Sequence, residues 1–491
     1  MKTGPAPGLR FVWFAHCYFS SGAYNKLYYS VQGGVVVRTH TPSLERPGVL
    51  RLTWPIFIEL VLQMLVGNAD QIMVGWYNSN SVGAIGNANQ IINLLIIIFS
   101  VVCTAAMILI AQHIGAGATG ELGETYTVSL LANTIFGVVV MLVLLGLAEP
   151  IYRIMQVDTQ IFAETCRYTR IVSVGMLLQA IYLTFTAFFR SNQMMKESMI
   201  ISVSVNILNI AGNAVFINGA FGLPAMGAAG AALASDVSRM VGVIAIAALF
   251  VRRFPGMLSL KFLRPFPSWQ LRTLLNIGLP AGGESLSYNA SQLVLQVFCN
   301  MLPLYVVTTK VYANMFAMLS YTFAAAIGQA AQVVVANRMG AGETEKVNRT
   351  VWYTLRRALL ISTLVSILLF VFARPVYSLF TKDPQVLELC KWVMLVEIPL
   401  EMGRAVNIVM CRSLQSCGDI RFPIAICVIS AWLVSVGGGF LLGHVFGLGL
   451  VGIWAGQAAD ECIRALLFIG RWKGGVWRTK RLVRAPGEDP S

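Results

Sequence analysis

Apolar residues run along this chain in long blocks, separated by short clusters of Gly, Pro, Asn and charge. A helix needs about 20 mostly apolar residues to cross the hydrocarbon core of a bilayer. Twelve blocks meet that requirement: 50–76, 84–111, 124–148, 165–189, 197–219, 226–251, 270–299, 308–336, 350–373, 386–412, 421–444 and 448–471. A helix satisfies its own backbone groups in lipid, whereas a barrel would show short alternating segments instead. The pattern predicts an all-α polytopic membrane protein with twelve transmembrane helices.

The blocks form two sets. Pro55 and Pro280 lie 225 residues apart, and each is followed four residues later by a glutamate, Glu59 and Glu284. The same offset places Gly115-Ala116-Gly117 on Gly340-Ala341-Gly342, Phe221-Gly222-Leu223 on Phe446-Gly447-Leu448, Gly227 on Gly452 and Arg239 on Arg464. Arg190-Ser191 meets Arg412-Ser413 at 222, a local gap of three. Two pseudo-symmetric six-helix lobes are expected, an N-lobe over 46–255 and a C-lobe over 256–477, with a linker at 252–272. Six is even, so both copies insert the same way up. Carriers with parallel repeats hold substrate between the lobes and rock one against the other. Residues 1–45 are expected to be a loosely ordered extension: the aromatic stretch from Phe11 to Phe19 is broken by His16 and no cleavage site follows. The basic, then Pro- and Asp-rich stretch 478–491 is expected to be a disordered tail.

Composition agrees with immersion in lipid. Of 491 residues 56% are hydrophobic and 12% charged, and the mean hydropathy is +0.69; a soluble chain carries roughly a quarter charged residues. The net charge of +14 forms no dense basic stripe with interleaved aromatics, so nucleic acid is not an expected partner. Instead 26 of the 36 basic residues flank the spans on one side, five on the other, and five lie within spans. Basic loops stay inside. Both termini are therefore expected in the cytoplasm, with the chain in the cell membrane. The nine cysteines form no CxxC pair and mostly lie in apolar runs, where they read as small buried residues. His16, His40, His113 and His444 are too scattered for a metal site, and no HExxH, GxxxxGK[ST] or GxSxG occurs. An enzyme is not expected, nor a cofactor.

Ionisable groups inside the spans each need a reason, since one charge costs roughly 2.5–3.5 kcal/mol on insertion scales. Asp236 with Arg239, and Asp460 and Glu461 with Arg464, have positive partners three or four residues away and read as neutralised within their helix. Glu397 and Glu401 share a helix face, with Arg404 three residues after Glu401. Asp70 has no basic residue within a turn, only amide neighbours, Asn68 and Gln71. Eleven residues separate it from Glu59, which puts both on nearly one helix face. An unpaired carboxylate there suits exchange of a proton for Na⁺ or a cationic substrate. Asn209 and Asn213 stack at i, i+4; their carbonyl oxygens suit a hard cation, and interhelical hydrogen bonding explains them equally well.

These motifs resemble the multidrug and toxic compound extrusion (MATE) family in its prokaryotic branch. The stretch from Asn68 to Gly75 resembles that family's first-helix Asp-x-(Ile/Val)-Met-x-Gly signature. Gly115-Ala116-Gly117 and Gly340-Ala341-Gly342 are similar to the glycine pairs ending helices 2 and 8, and Gly278-Leu279-Pro280 to the opening of helix 7. Phe189-Arg190-Ser191, the run Asn209 to Ile217, and the run Gly418 to Pro423 match further patterns, so the likeness covers about 46–478. The resemblance implies that Asp70 couples cation movement in the N-lobe, with Asn209, Asn213 and Ser235 near it and possible Na⁺ contact at Asp70, Asn209 and Asn213. It implies that Glu284 is the acid of helix 7 and Glu401 an acid of helix 10 known from Na⁺-coupled members. Gln71 and Ser235 stand where Thr is common, Glu401 where Asp is usual, and Asp236 is an additional acid.

The expected function is secondary antiport: export of lipophilic, often cationic compounds against Na⁺ or H⁺, by a monomer in the lipid bilayer. The rival is a lipid-linked oligosaccharide flippase, which would line its cavity with many basic residues to hold pyrophosphate. Apart from the basic residues counted on the two flanks, only Arg167, Arg170, Arg239, Arg404 and Arg464 lie within the spans.

Overall fold

The computed structural model describes residues 29–32, 35–38, 48–219, 222 and 224–483. In the N-terminal extension, strands β1 (Tyr29–Gln32) and β2 (Val35–Arg38) pair antiparallel with Tyr29 opposite Arg38. The aromatic stretch 11–19 lies outside the described residues.

From Val49 onward the chain is helical. The first half holds α1 (Val49–Tyr77), α2 (Ser79–Ala116), α3 (Leu122–Ile154), α4 (Thr159–Ser191), α5 (Met195–Asn218) and α6 (Ala228–Arg253). The second holds α7 (Ser268–Asn300), α8 (Leu304–Gly340), α9 (Thr344–Val371), the single turn α10 (Ala373–Ser378), α11 (Pro384–Ser416), α12 (Arg421–Ser430) and α13 (Gly449–Lys473). Beyond Ser430, α12 runs on to Val445 largely as π-helical turns. Twelve long helical elements thus stand where the twelve apolar blocks were read. Nine of them, among the described residues, are long and apolar enough to cross a membrane on composition alone. The other three, α7, α11 and α13, carry most of the buried acids of the second half: Glu397, Glu401, Asp460 and Glu461.

Local chemistry sets the helix ends. Asn78, Asp158 and Asp383 each accept a backbone N–H two residues on, and Pro384 follows Asp383 at the first helical position. Gly117 and Gly219 close α2 and α5 in the left-handed conformation (φ 71° and 73°), which glycine adopts without strain.

Buried side chains show how the halves meet. Two hydrophobic clusters span both halves, and both lie at the end of the bundle that carries most of the arginines and lysines. One joins Val49, Leu52 and Ile56 of α1 to α8, α9 and α11. The other joins α2 and α4 to Leu274 and Ile277 of α7, Ala336 of α8 and Ile424 of α12. Toward the opposite end the large clusters stay within one half: one gathers α1 to α6, the other α7, α8, α10, α11 and α13. Lipid supplies no hydrophobic drive between helices, so close packing and hydrogen bonds must hold this seam. At its centre a Cβ on Gly115 would strike the Asn337 carbonyl, and one on Gly340 would strike the Gln112 backbone. Asn337 Nδ2 also donates to the Ala111 carbonyl at 3.2 Å.

The C-terminal segment seals the same end. Residues 478–483, assigned to the tail by sequence, pack here with Val483 buried. Gln112 Oε1 accepts the backbone N–H groups of Leu482 (3.0 Å) and Val483 (3.1 Å), while its Nε2 donates to the Ser416 carbonyl at 2.7 Å. One glutamine of α2 thereby holds the end of α11 and the C-terminal strap together. Residues 484–491 lie outside the described residues.

Candidate functional site

Asp70 lies in the outer third of α1, away from the basic end, and is partly buried. Asn213 of α5 donates its Nδ2 to Asp70 Oδ1 and also approaches Asn209 Oδ1 at 3.5 Å. Asn209 in turn donates to Ser235 Oγ of α6 at 3.0 Å. Four of the six residues singled out by sequence thus form one polar chain across α1, α5 and α6. The i, i+4 spacing of the asparagines lets them act in series along one helix face. Asn213 Oδ1 is buried without a hydrogen-bond partner, so the group keeps an unused oxygen beside a carboxylate. Asp70 has no basic neighbour on its own helix, but the fold brings Arg239 of α6 within electrostatic reach. Arg239 is itself 3.7 Å from Asp236 on its own helix, the internal pairing expected from sequence.

Glu284 and Glu401 do not join this group. Glu401 is buried in α11, ion-paired with Arg404 on the same helix. Arg404 also lies 3.7 Å from Glu461 of α13, to which Asn407 Nδ2 donates at 2.6 Å. Arg464 neutralises Asp460 (2.7 Å) and Glu461 (2.9 Å), again as expected. Glu397 shares the face of Glu401 and accepts Trp454 Nε1 at 2.7 Å, but its Oε1, like Glu401 Oε2, has no partner. Trp454, Asn407 and Glu461 were not read from sequence as parts of one acidic cluster. They belong to different helices from Glu397, or have no charge, and spacing along one helix carries no signal for either.

The third acidic region lies on the seam. Glu59 is buried and its Oε2 accepts Arg190 Nη2 at 2.9 Å; Arg190 Nη1 donates to Gln329 Oε1 of α8 at 2.6 Å. This guanidinium ties α1 and α4 of the first half to the second. Glu284, at the repeat-related position of α7, has no basic group within ion-pair distance among the described residues. It lies instead within 4.8 Å of the sulfurs of Cys411 and Cys427.

Comparison with known proteins places this arrangement. The MatE family model matches twice, over residues 55–215 and 280–441, once in each half of the repeat. A Bacillus subtilis (strain 168) protein named Uncharacterized transporter YisQ is 35% identical over 432 residues, covering 88% of this chain and 95% of its own. The Thermotoga maritima Probable multidrug resistance protein NorM is 27% identical over 466 residues, 93% of this chain and 98% of its own. Among solved structures, MATE in the bent conformation superimposes with a TM-score of 0.81 at 22% identity, covering 88% of this chain and 95% of that one. The outward-facing conformation of a multidrug resistance MATE family transporter gives 0.80 at 22% identity, with 87% and 96% covered. With one family match in each half and a transporter relative aligned over nearly its whole length, the chain belongs to the MatE family of multi-pass membrane transporters.

Proposed function

We propose that this transporter is a secondary antiporter that expels lipophilic, often cationic compounds in exchange for Na⁺ or H⁺ entering the cell. The observation that carries the reading is the polar chain from Asp70 through Asn213 and Asn209 to Ser235, partly exposed where the two halves share no hydrophobic core. A carboxylate and amide oxygens form a donor set for a hard cation, and the unpartnered Asn213 Oδ1 gives such a cation a further oxygen. Protonation of Asp70 would remove the same negative charge, so either ion or a cationic cargo competes for one site. Coupling then requires that each ligand favour a different arrangement of the halves.

The basic end, where the halves are packed together, is the cytoplasmic one in this reading, following the distribution of Lys and Arg. The names of the NorM relative and the multidrug resistance structure support efflux of varied compounds rather than uptake of one nutrient. A flippase is less well supported: Arg170, Arg239, Arg404 and Arg464 each have an acidic partner, at Glu149, Asp236, Glu401 and Asp460, leaving few cations for pyrophosphate.

The test is dye export from vesicles under separately imposed Na⁺ and proton gradients, with Asp70→Asn beside the unaltered protein. Export should fall by about tenfold or more, the scale of a coupling free energy of 1–3 kcal/mol. Gradient-driven export that survives the substitution unchanged removes Asp70 from the mechanism.

A further inference from the structure

We propose that Glu284, Cys411 and Cys427 form a binding site for a soft, thiol-seeking metal cation of the Zn²⁺ or Cd²⁺ type. The three residues come from α7, α11 and α12, and one ligand atom from each lies within 4.8 Å of the others. Zn–S bonds of about 2.3 Å keep two sulfurs on one ion no more than about 4.6 Å apart. A tetrahedral ion holds two such sulfurs about 3.8 Å apart, so side-chain shifts of about 1 Å or less close the cluster on a metal.

Buried cysteines usually serve as small apolar filler. These two differ from that pattern because each sulfur accepts an N–H bond: Arg464 Nη1 lies 3.7 Å from Cys427 Sγ and Gln415 Nε2 lies 3.4 Å from Cys411 Sγ. Donors aimed at sulfur form an outer hydrogen-bonding layer of the kind that orients and tunes metal ligands. Charge also balances. Two thiolates and a carboxylate carry three negative charges, a divalent cation leaves one, and Arg412 lies within electrostatic reach of Glu284 to offset it. Cys411 and Cys427 are buried while Glu284 is partly exposed, so an ion would reach the thiols past Glu284. The repeat-related acid, Glu59, has its charge satisfied by Arg190, so nothing in the shared fold demands that Glu284 be left beside two thiols.

This site is independent of the antiport reading, because it concerns metal binding by the resting protein. The experiment is titration of the purified full chain, in detergent under reducing conditions, with Cd²⁺ and with Co²⁺ as the coloured probe. The expected result is one equivalent bound with a sulfur-to-metal charge-transfer band. Cys411→Ser and Cys427→Ser should each abolish that band, and Glu284→Gln should weaken binding by about tenfold. Cys390→Ser and Cys462→Ser should leave binding unchanged. Circular dichroism and metal-free melting of each variant establish that it is folded. Equal stoichiometry and an equal band in the unaltered protein and the Cys411→Ser/Cys427→Ser double variant would overturn the proposal, as would a disulfide joining Cys411 to Cys427 that persists in reductant. Dye export, present or lost, leaves the titration result unaltered, so the two readings can fail separately.

Discussion

Glu59 and Glu284 occupy the same place in the repeat, yet their surroundings have diverged. In the first half Arg190 takes Glu59 with one nitrogen and Gln329 of α8 with the other, clamping the seam. In the second half the matching arginine, Arg412, donates to Gln332, also on α8, at 3.1 Å and leaves Glu284 to its two thiols. Both arginines turn to α8, whose Gln329 and Gln332 supply the amide acceptors. At the offset of 225, α2 has Thr104 and Met107 where α8 has Gln329 and Gln332. A duplicated helix pair therefore yields one acid committed to holding the halves together and one left available. Sequence symmetry is no guide to symmetry of role.

The sharpest way to break this contrast is to neutralise each acid in turn. Glu59→Gln leaves Arg190 largely buried opposite a neutral group, and breaking a buried pair typically costs about 3–5 kcal/mol. Glu284→Gln removes no ion pair and should change stability by about 1 kcal/mol or less. Unfolding followed in one detergent measures both, and equal losses would erase the distinction between clamp and available acid.

A smaller effect is expected from loosening the seam without touching a charge. Gly340→Ala forces a methyl group against the Gln112 backbone, and overpacking of this kind costs about 1–3 kcal/mol. Hydrogen exchange at 112–115 and 337–340 should rise, while Gly146→Ala, where a Cβ meets nothing, should leave it unchanged. If both variants exchange alike, the glycine crossing does not hold the halves.

The smallest of these changes is local. Gln112→Ala frees the Leu482 and Val483 amides and should weaken the C-terminal strap by about 1–2 kcal/mol, read as faster exchange at 482 and 483. Exchange that stays slow would mean that burial of Val483, rather than Gln112, keeps the strap in place.

Several of these features were already legible along the chain. Lipid demands long runs of apolar residues and a helix closes its own hydrogen bonds, so the twelve spans could be counted directly. The repeat was visible because prolines, glycines, glutamates and an arginine recur at a constant offset. Pairs confined to one helix, such as Asp236 with Arg239 and Asp460 with Arg464, followed from a 3.6-residue turn. The chain from Asp70 through Asn213 and Asn209 to Ser235 was legible only in part: helical spacing links the asparagines, and the resemblance to a family supplied the rest.

What lies between helices needed the tertiary structure. Arg190 could be assigned to Glu59 and Gln329 only once the fold brought the end of α4 within side-chain reach of α1 and α8. Cys411 and Cys427 read as unrelated apolar residues until α11 and α12 were brought together over Glu284. The acidic cluster around Glu397, Glu401 and Glu461 likewise depends on α11 lying against α13. Periodicity reports which face of a helix a residue occupies, through geometry that repeats every few residues. It carries no information about which neighbour meets that face, because the register between helices is set by packing at glycines such as Gly115 and Gly340 and by bonds that cross the seam.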